Sequence, residues 1–504
     1  MRLTILHFND LHGRLEQLPR LATLIQRERA EALTRGRTVL VLDGGDSSDR
    51  AVWESDITQG RANFAVLEAM GVQATVVGNG EALQWGRTAL QKLVASVHFP
   101  VLAANLVDLA DPSRLAVPGL QASCVTEADG FKIGIIGVTA VYTNGYDRFG
   151  YISTDPLPAL QREVAALKTQ GAHFILLLSH LGYATSEEKK TWLDPNAFTD
   201  DEAATACPEI GAIVGGHSHV LLEAPVMIGD IPIVLVGEYG RYLGRLDLDV
   251  NPDTGRVVRH EYCLLPTEDV LPASTISATE EFVREEASHL LDIRLGTASV
   301  DLPHFFNQPS PFANRVADAL RAICQAELGI LFSGFVYQGL KAGPITRRDL
   351  YEAIPGSSHV TAAQVSGAQI RRMVERMLAS PYRTESFNPK RNSPPLGLPA
   401  CSTNVQLVYD LPSPFGSPTG VLREGAGGEG ESSALNDILI DGHPLDSSRR
   451  YRLASTYYTL NPTTDEPEYD YIGLEPGQVI ENVRVEEVLW EIVEDWIKTA
   501  GPIA

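Results

Sequence analysis

Apolar positions in the first half of the chain fall into two alternating rhythms. Short runs such as Leu3-Thr4-Ile5-Leu6-His7-Phe8 and Thr38-Val39-Leu40-Val41-Leu42 predict strands, the second apolar enough to be covered on both faces. Between them, Leu18, Leu21, Ala22, Leu24 and Ile25 share one face of the stretch Leu18 to Ala30. Arg20, Gln26, Arg27 and Glu28 lie largely on another, which is helical spacing. Further helices are predicted over Ala62 to Met70, Thr88 to Val97 and Leu157 to Leu167. Further strands are predicted at Ala74 to Val77, Val101 to Ala103, Lys132 to Val138, His173 to Leu178 and Ala212 to Val214. Strand and helix in turn, joined by short turns, imply an α/β layered domain. From Pro232 to Val250 the pattern becomes hairpin-like, and these strands are expected to form a second sheet packed on the first.

Glu280 to Leu291 reads as one amphipathic helix, with Phe282, Val283, Ala287, Leu290 and Leu291 as its apolar positions. It could join two domains, so the expected division is 1–278, a linker helix over 279–295, and a second domain over 296–504. That second domain is expected to be α+β. Helices are predicted at Arg315 to Leu328, Arg348 to Ile354 and Gly367 to Leu378, and strands at Asn404 to Tyr409, Ile438 to Ile440 and Tyr451 to Ala454. Pro412 to Asn436 is rich in Gly, Ser and Glu, the composition of a surface loop, and Pro381 to Pro399 is similarly polar.

With 504 residues, 44% of them hydrophobic, the chain has material for two or more cores. A formal net charge of -23 argues against a nucleic-acid backbone or an anionic membrane as main partner, and no basic block offsets it. Cys124, Cys207, Cys263, Cys324 and Cys401 are scattered, without C-x-x-C spacing, and read as isolated thiols. Met1-Arg2-Leu3-Thr4 runs straight into the first strand without an export-signal pattern, so a cytoplasmic location is expected.

The chemistry gathers where strands end. Phe8 is followed by Asn9-Asp10-Leu11-His12-Gly13, and Leu42 by Asp43-Gly44-Gly45-Asp46. Val77 precedes Gly78-Asn79-Gly80-Glu81, Leu178 precedes Ser179-His180, and Val214 precedes Gly215-Gly216-His217-Ser218-His219. In α/β sheets, sites form at the carboxyl ends of strands. Taken singly, a histidine placed like His180 is more often a hydrogen-bonded core residue, and an asparagine placed like Asn79 is more often a turn residue. Together, Asp10, His12, Asp46, Asn79, His180, His217 and His219 supply two carboxylates, an amide and four imidazoles, more than one ion normally takes. Two ions sharing Asp46 would account for the set. Such a pair, about 3.5 to 4 Å apart, can activate a water and neutralise phosphoryl oxygens, which favours phosphoester hydrolysis by a hydroxide bridging two metals.

These strand ends resemble those of the calcineurin-like metallophosphoesterases, specifically the bacterial 5'-nucleotidase family. Val236 to Gly244 resembles a stretch that follows the metal site in that family, and Ala342-Gly343-Pro344-Ile345-Thr346 with Asp349-Leu350-Tyr351 resembles its C-terminal domain. The resemblance implies a four-layer α/β/β/α metallophosphoesterase domain followed by an α+β substrate-binding domain, acting in nucleotide catabolism. It implies two divalent metal ions, manganese or zinc. One would be held by Asp10, His12, Asp46 and His219, the other by Asp46, Asn79, His180 and His217, with Asn105 in a supporting position. The implied partner is a small-molecule phosphoester such as a nucleotide, and neither a nucleic-acid polymer nor a membrane.

The sequence departs from the family pattern in two places. Gly80 stands where the family has a histidine that steadies the transition state and helps the leaving group depart. Losing such a group typically costs about 10²- to 10⁴-fold in rate. Tyr337 falls on a phosphate-gripping arginine position, and Tyr458 on that of a base-stacking aromatic. For both tyrosines an ordinary packing role is the equal alternative. Two readings follow: a hydrolase whose substrates carry good leaving groups, or a catalytically weak metal-binding homologue acting as a binding module.

Overall fold

A computed structural model describes residues 1–142, 145–184, 197–379, 396–410, 435–460, 471–474 and 478–504. The chain divides into two units, Met1–His289 and Leu290–Ala504.

In the first unit, strand Arg2–Phe8 is central to a six-stranded sheet. Thr38–Asp43, Ala74–Val76 and Val101–Leu102 follow it in parallel on one side, and Tyr242–Val250 and Val257–Pro266 lie antiparallel on the other. A second six-stranded sheet is built around Phe131–Thr139, Phe174–His180, Ala212–Val214 and Ile231–Val234, all parallel. The inner faces of the two sheets share one core, in which Leu3, Ile5, Leu40, Leu42 and Val76 meet Ile133, Ile135, Leu176, Leu178 and Val214. On the outer face of the second sheet, Ile136, Leu177 and Ile213 pack against Leu160, Val164 and Leu167 of helix Pro156–Thr169. Helix Leu18–Thr34 covers the first sheet. The result is the expected helix, sheet, sheet, helix stack. Phe174–His180 is buried at every position because both its faces are covered, which is why its sequence runs apolar without alternation.

The hairpin-like stretch behaves differently from expectation. Ile231–Val234 joins the second sheet beside Ala212–Val214, while Tyr242–Val250 pairs with Arg2–Phe8 in the first. Positive φ angles at Gly237, Tyr239 and Gly240 carry the chain from one sheet to the other. Period-two alternation shows that a segment is extended, but not which neighbour it pairs with.

The second unit has a five-stranded sheet in the order Pro399–Cys401, Leu328–Phe332, Arg450–Thr456, Val360–Ser366, Ile480–Asn482. Helix Gly367–Ala379 buries Ile370, Met373 and Met377 against Ile330, Phe332, Val365 and Leu453. The helix expected over Arg315 to Leu328 occupies Pro311–Ile323 instead, and Leu328 opens a core strand. Gln325, at φ 50, breaks the helical path between them. Helix Ser274–Leu291 buries Ile276, Val283, Ala287 and Leu291, whereas Phe282 is 61% exposed and off that face. Of the two predicted loops, residues 380–395 and 411–434 lie outside the described residues. Their far ends, Pro399–Cys401 and Leu435–Ile440, are strands.

Candidate metal centre

The loops after the first two strands of the first sheet are stitched together before any side chain is considered. The amides of Asp10, His12 and Gly13 donate to the carbonyls of Gly45, Asp46 and Ser47 at 2.9, 2.8 and 3.1 Å. Asp10, His12, Asp46, His217 and His219 all have left-handed backbone, with φ of 52, 46, 51, 74 and 54°. Each such residue costs of order 1 kcal/mol or more, so the rest of the fold must hold these loops in place.

Three imidazoles are oriented alike. His12 Nδ1 donates to Asp49 Oδ2 at 2.9 Å, His180 Nδ1 to the Gly44 carbonyl at 2.7 Å, and His219 Nδ1 is 2.5 Å from Glu238 Oε2. These oxygens can only accept, so Nδ1 carries a proton and Nε2 is the nitrogen that offers a lone pair to a metal once its own proton has left. His12 Nε2 and His219 Nε2 face each other at 2.9 Å, with Asp10 Oδ1 3.8 Å from the first and 3.5 Å from the second. Two lone pairs that close repel unless a proton or a cation lies beside them. His180 Nε2 lies 3.4 Å from Asp46 Oδ2 and, like Asn79 Oδ1, is buried with no hydrogen-bond partner among the described residues. Asp10, His12 and His219 make one group able to close on a metal ion, and Asp10, Asp46 and His180 make another.

His217 lies outside these two groups. The His217 amide donates to Asp10 at 2.9 Å, and its ring stands 5.1 Å from that of His180. Asn105 is buried and bonds through its side chain to the Thr139 amide and carbonyl, so it ties strand to loop.

Charge balance in the centre is tight. Burial alone would lower the pKa of His12, but the Asp49 hydrogen bond and the Asp46 and Asp10 charges outweigh it and raise it to about 9. His180 follows the same pattern, with burial outweighed chiefly by Asp46, and is raised to about 10. His217 is lowered to about 4 by burial and by the His180 charge. Burial works against the charge on Asp46, yet His180 and His12 hold its carboxyl well below the usual range.

Sequence reasoning passed over several residues that complete the site. Asp49 and Glu238 back two imidazoles. Asn9 Nδ2 holds Asp10 Oδ2 at 2.6 Å. Glu81 accepts from the amides of Asp46, Gly78 and Ser48 at 3.1, 3.0 and 2.9 Å and so shapes the loop that carries Asp46. The Val236 to Gly244 stretch pointed toward Glu238; nothing in the sequence singled out Asp49.

A family model described as calcineurin-like phosphoesterase matches residues 3–221, and one described as 5'-nucleotidase, C-terminal domain, matches residues 292–466. The chain belongs to the 5'-nucleotidase family. It is 28% identical over 378 residues to an uncharacterized metallophosphoesterase, YunD, of Bacillus subtilis, covering 74% of this chain and 77% of that protein. It is also 28% identical over 422 residues to a 5'-nucleotidase of Vibrio cholerae, covering 73% and 74%. A solved putative 5'-nucleotidase from Staphylococcus aureus shares the fold at 17% identity and TM-score 0.57, over 99% of this chain and 97% of that one.

Calcineurin-like phosphoesterases bind divalent metals, and the two ligand groups here suit one each. The Gly80 amide donates to Asp46 Oδ1 at 2.6 Å. A Cβ on Gly80 would lie 2.9 Å from that same oxygen and 3.1 Å from the Ser48 carbonyl. The space is therefore taken up by the Asp46 carboxylate and the Ser48 carbonyl. In the second unit, Tyr337 is 45% exposed, and Tyr458 packs edge-on to Phe335 at 6.0 Å and beside Tyr471.

Proposed function

We propose that this 5'-nucleotidase family member is a two-metal phosphoester hydrolase acting on small, nucleotide-like substrates with good leaving groups. Asp10, His12, Asp46 and His219 would hold one ion, and Asp46, Asn79, His180 and His217 the other. The observation that carries this reading is the set of three imidazoles with Nδ1 pinned and Nε2 turned toward Asp10 and Asp46. When bound, the ions supply Lewis-acid charge for the phosphoryl oxygens and lower the pKa of an attacking water. The chain's own residues fix that arrangement: Asn9 and the His217 amide orient Asp10, while the Gly80 amide orients Asp46. With glycine at position 80, no side chain there can protonate a departing oxygen. The leaving group must therefore be acidic enough to depart unaided.

The test is phosphate release by the purified protein with manganese or zinc, after metal analysis. p-Nitrophenyl phosphate should turn over far faster than an alkyl phosphate, and a chelator should abolish both. Equal rates on the two esters would remove the leaving-group argument. Metal retention without hydrolysis of either, across several metals, would favour the binding-module reading.

A further inference from the structure

Helix Asn79–Leu83 is little more than one turn, too short to sustain itself in water, yet it carries Asn79 and the Gly80 amide that orients Asp46. Bonds from outside must therefore fix its place. Near its start, Glu81 accepts from the amides of Asp46 and Ser48 and from the Ser48 hydroxyl. Just past its end, Gln84 is held by Arg50, whose amide donates to Gln84 Oε1 at 2.5 Å and whose Nε donates to the Gln84 carbonyl at 2.7 Å. The same guanidinium donates from Nη1 to Asp56 Oδ1 at 2.7 Å and lies over the Trp85 ring, 5.5 Å from its centroid. Trp85 Nε1 donates to that same Asp56 oxygen at 2.9 Å. Arg50, Asp56 and Trp85 are all buried. A buried ion pair adds little net stability over an apolar pair of similar volume, because both charges lose their water. What a guanidinium adds is direction: a rigid plane with donors at fixed angles, aimed here at two different segments.

We propose that Arg50 is a positioning residue for one of the two metal ions, the one assigned to Asp46, Asn79, His180 and His217. It locks the end of helix Asn79–Leu83 to the loop that follows Asp46, and so sets how far Asn79 stands from Asp46. Asn79 Oδ1 is buried with no hydrogen-bond partner among the described residues, which is the state of an oxygen kept for a ligand. The other group, Asp10, His12 and His219, does not depend on this helix. Its loops are joined by backbone bonds from Asp10 and His12 to Gly45 and Asp46, and Glu238 braces His219. Asp49, which braces His12, has its own anchor in a bond from its amide to Ser55 Oγ at 2.9 Å. Loosening the Arg50 side chain therefore acts mainly on one ion.

This inference rests on the two-metal reading above, and the two can fail separately. The experiment is calorimetric titration of the full chain with manganese, with electron paramagnetic resonance spectra recorded at each loading. The main variant pairs Arg50→Gln with Asp56→Asn, which leaves no unpaired buried charge. It should bind one ion within about threefold of the parent and the other about tenfold more weakly. At the loading where the parent shows a coupled manganese pair, the variant should show an isolated ion. Arg50→Lys, which keeps a charge opposite Asp56 but loses the fork, should show the same loss to a smaller degree. Leu160→Ala, in the core outside the second sheet, serves as the comparison for lost stability. It should lower the melting temperature and leave both affinities unchanged. If Leu160→Ala weakens one ion as much as the main variant does, the effect is one of stability and the proposal is overturned. Equal weakening of both ions in the main variant would overturn it too, as would affinities all within about twofold of the parent. A parent protein that binds fewer than two ions would instead defeat the two-metal reading.

Discussion

A neutral imidazole offers a metal only one nitrogen, and which one is decided by what the other nitrogen touches. Asp49 and Glu238 make that decision for His12 and His219. Replacing either carboxylate, as Asp49→Ala or Glu238→Ala, should weaken manganese binding about 10- to 100-fold with little change in melting temperature, read by calorimetry and thermal denaturation. An effect below about twofold would mean that packing alone orients the rings. The raised pKa values of His12 and His180, about 9 and 10, give a pH dependence with a definite sign. Without metal, these groups bind protons more tightly in the folded than in the unfolded chain. Their contribution to stability is therefore full below the ordinary histidine value and is lost as pH rises through about 9 to 10. Metal has to displace those protons, so manganese affinity should increase from pH 6 to pH 8. Flat affinity across that interval would show the imidazoles to be neutral already.

At the scale of elements, the centre depends on how closely strands and loops approach one another. Gly137 in strand Phe131–Thr139 faces Leu102 of the other sheet, and a Cβ there would run into the Leu102 side chain and backbone. Its carbonyl also accepts the Ala104 amide at 2.7 Å, a bond that ties the two sheets together. Gly137→Ala should destabilise the protein by about 1 to 3 kcal/mol, measured by urea denaturation; a cost near zero would mean the sheets separate easily at this point. Strands and helices of the first unit were legible because their apolar periods are long and regular. The segments after Pro232 were less so, since alternation marks an extended chain without naming its partner, and Gly237 to Gly240 sends two consecutive strands into different sheets. The helix over Pro311–Ile323 was predicted with its end misplaced, because Leu328 continues an apolar pattern that Gln325 has already broken.

At the scale of the whole molecule, all the candidate metal ligands lie in Met1–His289, which has its own cores between and outside its sheets. A fragment of residues 1–291 should therefore fold alone and bind the same number of metal ions as the full chain, checked by thermal melting and elemental analysis. Failure to fold, or loss of one ion, would show that the second unit contributes to the centre. Tyr337 and Tyr458 belong to that second unit, so their replacement by alanine should leave metal content unchanged.

The sequence by itself determined the α/β class, the strand ends that carry ligand chemistry and the family. Each of these is written in local spacing: apolar runs of strand length followed within a few residues by glycine, aspartate, asparagine or histidine. Only the tertiary structure decided which atoms of those residues face one another, because ring orientation depends on partners remote in the chain. Glu238 pins His219 from the far side of a left-handed turn, the Gly44 carbonyl pins His180 from another sheet, and Tyr239 brings Arg14 and Arg241 to one ring. Periodicity reports what a side chain has beside it along the chain, whereas charge, tautomer and metal affinity follow from what lies across from it in space.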